Sequence, residues 1–161
     1  MEVEVKLEKL KDYLKDRKLL VAFSGGADSS LIAYMAHKMS KEAIAVTIDN
    51  GVMPSDFIGN AMKIAKEIGI EHSVVKEDFL EDEAFRSNPR NRCYICKNKM
   101  YSKLMEIAEE DNFEVVDGTN ISDLLEDRPG IMVNYNKNIK SPLVIAGFTA
   151  EDVKNLSLIH I

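Results

Sequence analysis

The sequence has little of what marks an exported, membrane-bound or disulfide-held protein. Its 161 residues include only two cysteines, and two cysteines three positions apart do not make a disulfide framework. It has no run of 18 apolar residues and no signal-peptide pattern, because residues 1–15 alternate acids with lysines. We therefore expect a cytoplasmic chain without a membrane partner.

The chain also lacks an excess of positive charge. It carries 21 Lys and Arg against 27 Asp and Glu, for a net charge of −6 and a pI near 5.2. This balance argues against a nucleic-acid partner or an anionic membrane surface. The length predicts one domain over residues 1–161, large enough to bury a core without disulfides or metals.

The stretch LLVAFSGGADSS, residues 19–30, organises the rest of the chain. The apolar run Leu19–Phe23 predicts a buried parallel strand, and Ser24–Ser30 predicts a turn that leads into a helix. Gly25 and Gly26 allow backbone angles that are closed to other residues, so N–H groups can converge on a phosphate. The helix N-terminus favours the same anion. The G-x-x-x-x-G-K-[ST] phosphate motif is absent.

The rest of the sequence alternates strands with helices. We predict an amphipathic first helix through Leu14, further strands at 43–48, 72–75 and 114–116, a helix from Ser29 to about Met39, another that closes at Gly69, and a last helix capped by Thr149. Such alternation indicates an α/β fold: an open, doubly wound parallel sheet of strand order 3-2-1-4-5, flanked by helices. Its ligand site should lie at the switch point, where Ser24–Ser30 meets residues 117–120.

Five motifs then carry a resemblance. The segment SGGADSS matches the S-G-G-x-D-S signature of the PP-loop ATP pyrophosphatases. The motifs that follow along the chain resemble those of the LarE family, in the same order: NPRNRCYICK, DGTN, DRPG and SPL. The LarE enzymes are the ATP-dependent sacrificial sulfur transferases of nickel-pincer cofactor assembly. The resemblance implies an adenine nucleotide alpha hydrolase-like fold and cleavage of ATP between its α- and β-phosphates. It also implies adenylation of a carboxylate on a small nucleotide-like substrate.

The site residues follow from these motifs and from the strand ends. For nucleotide binding we predict Ala22, Phe23, Ser24, Gly25, Gly26, Asp28, Ser29, Ser30, Asp49, Asp117, Gly118 and Thr119. Asp49 is equally well explained as a turn residue at the end of a strand. The predicted catalytic residues are Asp28, Arg92, Lys97 and Arg128; the three cations are expected to reach phosphate. For Mg²⁺, which bridges phosphates with one or two carboxylates, the candidates are Asp28 and Asp117.

Cys93 and Cys96 leave alternatives open. Their position beside Arg92 and Lys97, near a helix N-terminus, favours the thiolate form of both side chains. An equally good explanation of the pair is that both are small buried residues. In the LarE family the sulfur-donating cysteine lies in a C-terminal region beyond the last motif found here, so we expect adenylation without sulfur transfer by that route. A tRNA-thiolating enzyme that uses the CxxC pair and a nucleotide-binding subunit without turnover are the alternatives. A site shared between two copies of the chain also stays open, and it would make the protein a homo-oligomer.

Overall fold

The computed structural model describes residues 3–51, 54–77, 92–124 and 138–160, with only the backbone described for Ser55, 92–96 and 157–160. Four parallel strands in this part of the chain form one sheet of order β3-β2-β1-β4. The strands are β1 (Lys18–Ala22), β2 (Glu42–Asp49), β3 (Glu71–Lys76) and β4 (Glu114–Val116). The predicted α/β class and this order of four strands are confirmed.

Helices connect and flank the strands. They are α1 (Val3–Leu14), α2 (Ala27–Met39), α3 (Ser55–Ile68), α4 (Arg92–Asp111), α5 (Ile121–Leu124), α6 (Pro142–Ala146) and α7 (Ala150–His160). Within the described ranges, no helix is both long and apolar enough to cross a membrane.

The core lies on both faces of the sheet, because side chains alternate along each strand. Leu19 and Val21 of β1 belong to one apolar cluster, with residues of α1, α2, α3, α6 and α7. Leu20, between them, belongs to a second cluster, which includes Tyr101 and Leu104 of α4. The sheet is therefore covered by helices on both sides, as a doubly wound fold requires.

The fifth position in the sheet is held by one residue of the described chain. Lys140 forms an isolated parallel bridge with Val116. Its N–H donates to the Val115 carbonyl at 3.2 Å, and its carbonyl accepts from the Asp117 N–H at 3.0 Å. Lys140 thereby fixes the backbone of Asp117 just where β4 ends. From the sequence we also expect an extended segment between Gly130 and Tyr135, and this segment lies outside the described residues.

Local signals set several helix ends. Gly69 adopts φ +88° and ends α3, as predicted. At the start of α7, Asp152 accepts the Thr149 N–H at 3.0 Å and the Asp152 N–H donates to the Thr149 hydroxyl at 3.2 Å, which confirms the predicted cap. The prediction for α2 was wrong by two residues, because the helix begins at Ala27 with Gly26 as its N-cap.

Candidate nucleotide-binding site

The turn between β1 and α2, residues 24–30, is called the phosphate loop below. Gly25 adopts φ +82°, and a Cβ there would lie 3.1 Å from the Ala61 backbone of α3. Both the angle and the close packing require glycine. Gly26 has an ordinary extended backbone, with φ −74° and ψ 171°. The expectation of special backbone angles is therefore right for Gly25 and wrong for Gly26.

Two serine hydroxyls shape this loop from within. The Ser29 hydroxyl accepts the Ser24 N–H at 3.1 Å, and the two hydroxyl oxygens are 3.0 Å apart. The Gly26 N–H donates to the Ser24 hydroxyl at 3.2 Å. The N–H groups of Ser24 and Gly26 thus stabilise the loop itself. The donors that helix geometry leaves for an anion are those of the first turn of α2, which begins at Ala27.

Ser30 differs from its two neighbouring serines. Its side chain is only 4% exposed, yet its hydroxyl has no hydrogen-bond partner among the described residues. A buried hydroxyl without a partner costs about 1–3 kcal/mol. An unsatisfied donor in the first turn of a helix is well suited to a phosphate oxygen, so this observation supports the predicted ligand site.

The segment 117–120 packs directly against the phosphate loop. A Cβ on Gly118 would lie 2.8 Å from the Ser29 nitrogen and 2.9 Å from the Asp28 Cβ. Since real Cβ atoms do not approach so closely, only glycine lets the two backbones meet. The predicted meeting of these segments at the carboxyl ends of β1 and β4 is confirmed. The binding role of Gly118 stays a prediction, and its structural role is this close approach.

Asp28 faces the 117–120 segment. The Asn120 amide donates to Asp28 Oδ1 at 3.2 Å. Burial raises the pKa of Asp28; the Asn120 hydrogen bond opposes this shift, while the nearby carboxylates of Asp123 and Asp117 add to it. The second carboxylate oxygen has no hydrogen bond from the described residues, so it is available to a cation. The raised pKa means that ionised Asp28 is disfavoured in the free protein, and a bound cation would offset this. A single carboxylate is enough for Mg²⁺, which takes most of its ligands from phosphates and water.

Asn120 belongs to the segment 117–120 that was expected at the site, but no individual role was predicted for it, and it has two roles here. Besides holding Asp28, its side-chain oxygen accepts the Asp123 N–H at 3.1 Å, and Asp123 Oδ2 accepts the Asn120 N–H at 3.0 Å. This reciprocal pair caps α5. The spacing of an Asn and an Asp three residues apart is a sequence signal for the cap. It gives no signal for the contact with Asp28.

Asp117 is a buried hydrogen-bonding centre, with 3% exposure. It accepts the Tyr101 hydroxyl at 2.6 Å, the Ser141 hydroxyl at 2.7 Å, and both the hydroxyl and the N–H of Thr119, at 3.0 and 3.2 Å. Burial and the adjacent Asp117 carboxylate hold the pKa of Tyr101 well above its usual value. A carboxylate has about four lone-pair sites, and the described residues alone provide four donors. Asp117 therefore fixes the loop, and its predicted Mg²⁺ role stays a prediction.

The ends of β1 and β2 are held by a third set of contacts. The Thr47 hydroxyl donates to the Phe23 carbonyl at 2.8 Å and lies 2.7 Å from His72 Nε2. Because the single hydroxyl proton goes to that carbonyl, His72 Nε2 is the donor to Thr47. Burial lowers the pKa of His72, which favours this neutral form. Asp49 Oδ1 accepts the Gly51 N–H at 3.2 Å, a turn contact; its ligand role stays a prediction.

Of the three cationic side chains predicted to reach phosphate, the structure describes only that of Lys97. The Lys97 ammonium lies 5.3 Å from the centroid of the Tyr101 ring. Arg92, Cys93 and Cys96 lie in the first turns of α4, where only the backbone is described, and Arg128 lies outside the described residues. In the described ranges, no three His, Cys, Asp or Glu side chains form a metal-binding group.

Comparison with known proteins finds relatives that match most of this chain. A family model described as "Queuosine biosynthesis protein QueC" matches residues 18–155. An uncharacterised protein of Synechocystis sp. is 32% identical over 158 residues, which cover 96% of this chain and 59% of that protein. The pyridinium-3,5-bisthiocarboxylic acid mononucleotide synthase of Lactiplantibacillus plantarum is 31% identical over 148 residues, which cover 89% of this chain and 54% of that protein. The chain thus spans somewhat more than half the length of these curated relatives.

A solved structure shows the same fold at lower identity. The NMN synthetase of Francisella tularensis superposes with a TM-score of 0.73, at 18% sequence identity, over 99% of this chain and 71% of that chain. Such a similarity concerns the fold alone. It supports the parallel sheet flanked by helices that is described above.

Proposed function

Because the chain belongs to the QueC-like family of the ATP-using PP-loop pyrophosphatases, we propose that it binds ATP over Ser24–Ser30 and adenylates a substrate. The observation that carries this proposal is the Ser30 hydroxyl, which is buried without a partner among the described residues in the first turn of α2. Two residues earlier in the same helical turn, Asp28 keeps one carboxylate oxygen clear of hydrogen bonds from the described residues. A phosphate oxygen and a magnesium ion supply what these two groups lack.

The reaction is a substitution at the α-phosphorus. A substrate oxygen forms a bond to that phosphorus, the bond to the β-phosphate oxygen breaks, and pyrophosphate leaves with the bonding electrons. The first-turn N–H groups and Ser30 donate to phosphate oxygens, and Asp28 would hold Mg²⁺, whose charge would offset that of the phosphates. Lys97, together with Arg92 and Arg128, supplies the cations that the phosphate loop itself lacks.

For the substrate we propose a carboxylate on a small nucleotide-like molecule. The 31% identical relative is named as a synthase of a pyridinium thiocarboxylic mononucleotide, and the five motifs resemble the LarE family. The net charge of −6 disfavours a long nucleic acid as the alternative substrate. Cys93 and Cys96 are not required for adenylation in this proposal, because substitution at the α-phosphorus by a substrate oxygen needs no thiol.

Two adjacent serine variants test the binding site. Ser30→Ala removes a hydroxyl that has no partner in the described chain, so the free protein should keep or slightly raise its melting temperature while its affinity for Mg²⁺-ATP falls by about tenfold, the value of one good hydrogen bond. Ser29→Ala is the matched control, because it removes internal hydrogen bonds and should lower the melting temperature. Unchanged affinity of Ser30→Ala for ATP would contradict the assignment.

The products test the chemistry. Incubation with ATP, Mg²⁺ and a pyridinium dicarboxylic mononucleotide should yield AMP and pyrophosphate in equal amounts, with an adenylated intermediate detectable by mass spectrometry. ADP and phosphate as the main products would refute α-phosphate attack. An AMP adduct found on tRNA, and none on the small carboxylate, would transfer the substrate assignment to the thiolation alternative.

A further inference from the structure

Tyr101 occupies the middle of α4 on the face that packs against the sheet. Its side chain is 5% exposed, and it belongs to the apolar cluster that contains Leu104 and Val115. One turn earlier on the same helix, the Lys97 ammonium lies 5.3 Å from the centre of its ring, as residues four apart on a helix are able to do. The ring of Tyr101 is therefore a platform for a cation.

The other end of Tyr101 reaches the loop after β4. Its hydroxyl donates to Asp117 Oδ2 at 2.6 Å. The loop that starts at Asp117 touches the phosphate loop twice, through Gly118 against Ser29 and through the Asn120 amide on Asp28. One side chain thus connects the helix that carries Lys97 with the loop that holds Asp28.

We infer that Tyr101 is a positioning residue for the ATP site: its hydroxyl anchors α4 to Asp117, and its ring holds Lys97 where that cation serves the phosphates. This inference rests on the function proposed above. A phenylalanine would fill the apolar part of the same space, so packing alone does not explain a buried hydroxyl. The other donors described for Asp117 come from Thr119 and Ser141, which are not part of α4. The Tyr101 bond is thus the one among these that ties the lysine's helix to the loop.

A double-mutant cycle between Tyr101 and Lys97 tests whether Tyr101 positions Lys97 for the nucleotide or only stabilises the fold. The probe is α,β-methylene-ATP with Mg²⁺, which is not cleaved between its α- and β-phosphates, and its affinity is measured by calorimetric titration. In the wild-type background, Lys97→Met should weaken binding by about tenfold. Tyr101→Phe keeps the ring beneath Lys97 and removes only the anchor of α4 to Asp117. In that background, Lys97→Met should cost less than about threefold, because the helix that carries the lysine is no longer fixed to the loop.

Ser141→Ala is the matched control, since it removes another donor to Asp117, at 2.7 Å, from a segment that does not carry Lys97. In that background Lys97→Met should keep its full effect. Tyr34→Phe is a second control: Lys38 lies 5.9 Å from the Tyr34 ring centre, and the described residues provide no partner for the Tyr34 hydroxyl. Its affinity for the probe should equal that of the wild type.

The outcomes separate the two proposals. If the wild type does not bind the probe, the proposed function and the role of Tyr101 both fall. If it binds, and Lys97→Met costs the same in the wild-type and Tyr101→Phe backgrounds, or costs nothing in either, the positioning role is overturned and ATP binding stands. Should Tyr101→Phe fail to fold, Asp117→Asn replaces it, because a neutral acceptor weakens the same hydrogen bond; an unchanged Lys97 effect there overturns the role equally.

Discussion

Asp28 is the residue whose charge bears most directly on both stability and function. Burial raises its pKa, so the charged form is disfavoured in the folded chain. A carboxylate with a raised folded pKa contributes most stability below its unfolded pKa and loses it as the pH rises through the folded value. At neutral pH the free protein therefore carries an electrostatic cost, which a bound cation would remove. This pattern is typical of functional sites.

Asp28→Asn should make this cost visible. The amide keeps an oxygen for the Asn120 hydrogen bond and carries no charge, so the melting temperature should exceed that of the wild type at pH 7, and the difference should shrink towards pH 4. Mg²⁺-dependent pyrophosphate release should fall by at least about 10- to 100-fold, which is the typical loss when a group that only orients a metal ligand is removed. Asp12→Asn, at an exposed position on α1, should change neither quantity. A variant less stable than the wild type at pH 7 would contradict the electrostatic cost.

Among single residues, the sequence predicts those that belong to motifs and misses those that hold the motif residues in place through hydrogen bonds. Asp28, Asp117 and Gly118 were expected in the site because they belong to recognisable motifs. Tyr101 was not, since its hydroxyl meets Asp117 across 16 positions of chain. Asn120 meets Asp28 across 92 positions. Such contacts depend on tertiary structure, and no local pattern records them.

The elements themselves were largely predictable, because their signals are local. The predicted strand 114–116 is confirmed residue for residue, and Gly69 ends α3 as expected. The start of α2 was misplaced because the first turn is closed by the backbone: the Ser30 N–H donates to the Gly26 carbonyl at 2.9 Å. A glycine acting as N-cap through its backbone leaves no side-chain signal in the sequence.

The contact between the loop after β4 and the start of α2 can be tested with two glycines. Gly118→Ala places a Cβ 2.8 Å from the Ser29 nitrogen and 3.0 Å from the Asp28 carbonyl carbon, both of them backbone atoms that cannot turn aside. We expect a loss of about 1–3 kcal/mol in the free energy of unfolding, together with weaker ATP binding, since the phosphate loop is displaced.

Gly59→Ala is the control for that variant. Gly59 lies within α3, and a Cβ there meets nothing within 4 Å. Alanine is the better helix former, so this change should raise the free energy of unfolding by up to about 1 kcal/mol and leave ATP binding unchanged. Urea unfolding of the two variants measures the difference. Equal stability of Gly118→Ala and the wild type would show that the two loops do not depend on this close approach.

For the whole molecule, the sequence was sufficient to predict a parallel sheet between two layers of helices. It was not sufficient to predict what occupies the fifth position of that sheet. Apolar runs such as Leu19–Phe23 indicate strands buried on both faces, and right-handed crossovers then limit the strand order to few choices. The fifth position of the sheet was predicted as a strand, and in the described chain a single residue, Lys140, occupies it. One bridged residue produces no alternating pattern that a sequence is able to show.

The first and last helices are joined by an ion pair. The Lys6 ammonium lies 2.6 Å from Asp152 Oδ2, with the two side chains only 13% and 15% exposed. Burial by itself would raise the pKa of Asp152, but the hydrogen bonds from Lys6 and Thr149 outweigh it and lower that pKa. A carboxylate with a lowered folded pKa adds stability above its unfolded pKa, and this stability is lost as the pH falls through the folded value.

Lys6→Met should therefore reduce the free energy of unfolding at pH 7 by about 1–3 kcal/mol, because Asp152 is left partly buried without its cation. Lys11→Met is the control on the same helix, since the Lys11–Glu8 pair is exposed and 3.7 Å apart and should contribute less than about 1 kcal/mol. The loss in Lys6→Met should shrink at acid pH, where Asp152 is protonated. Adding Asp152→Asn should restore part of it, because the neutral amide still accepts the Thr149 N–H. Strictly additive losses in this double variant would mean that the two side chains stabilise the chain independently, and that the pair does not join α1 to α7.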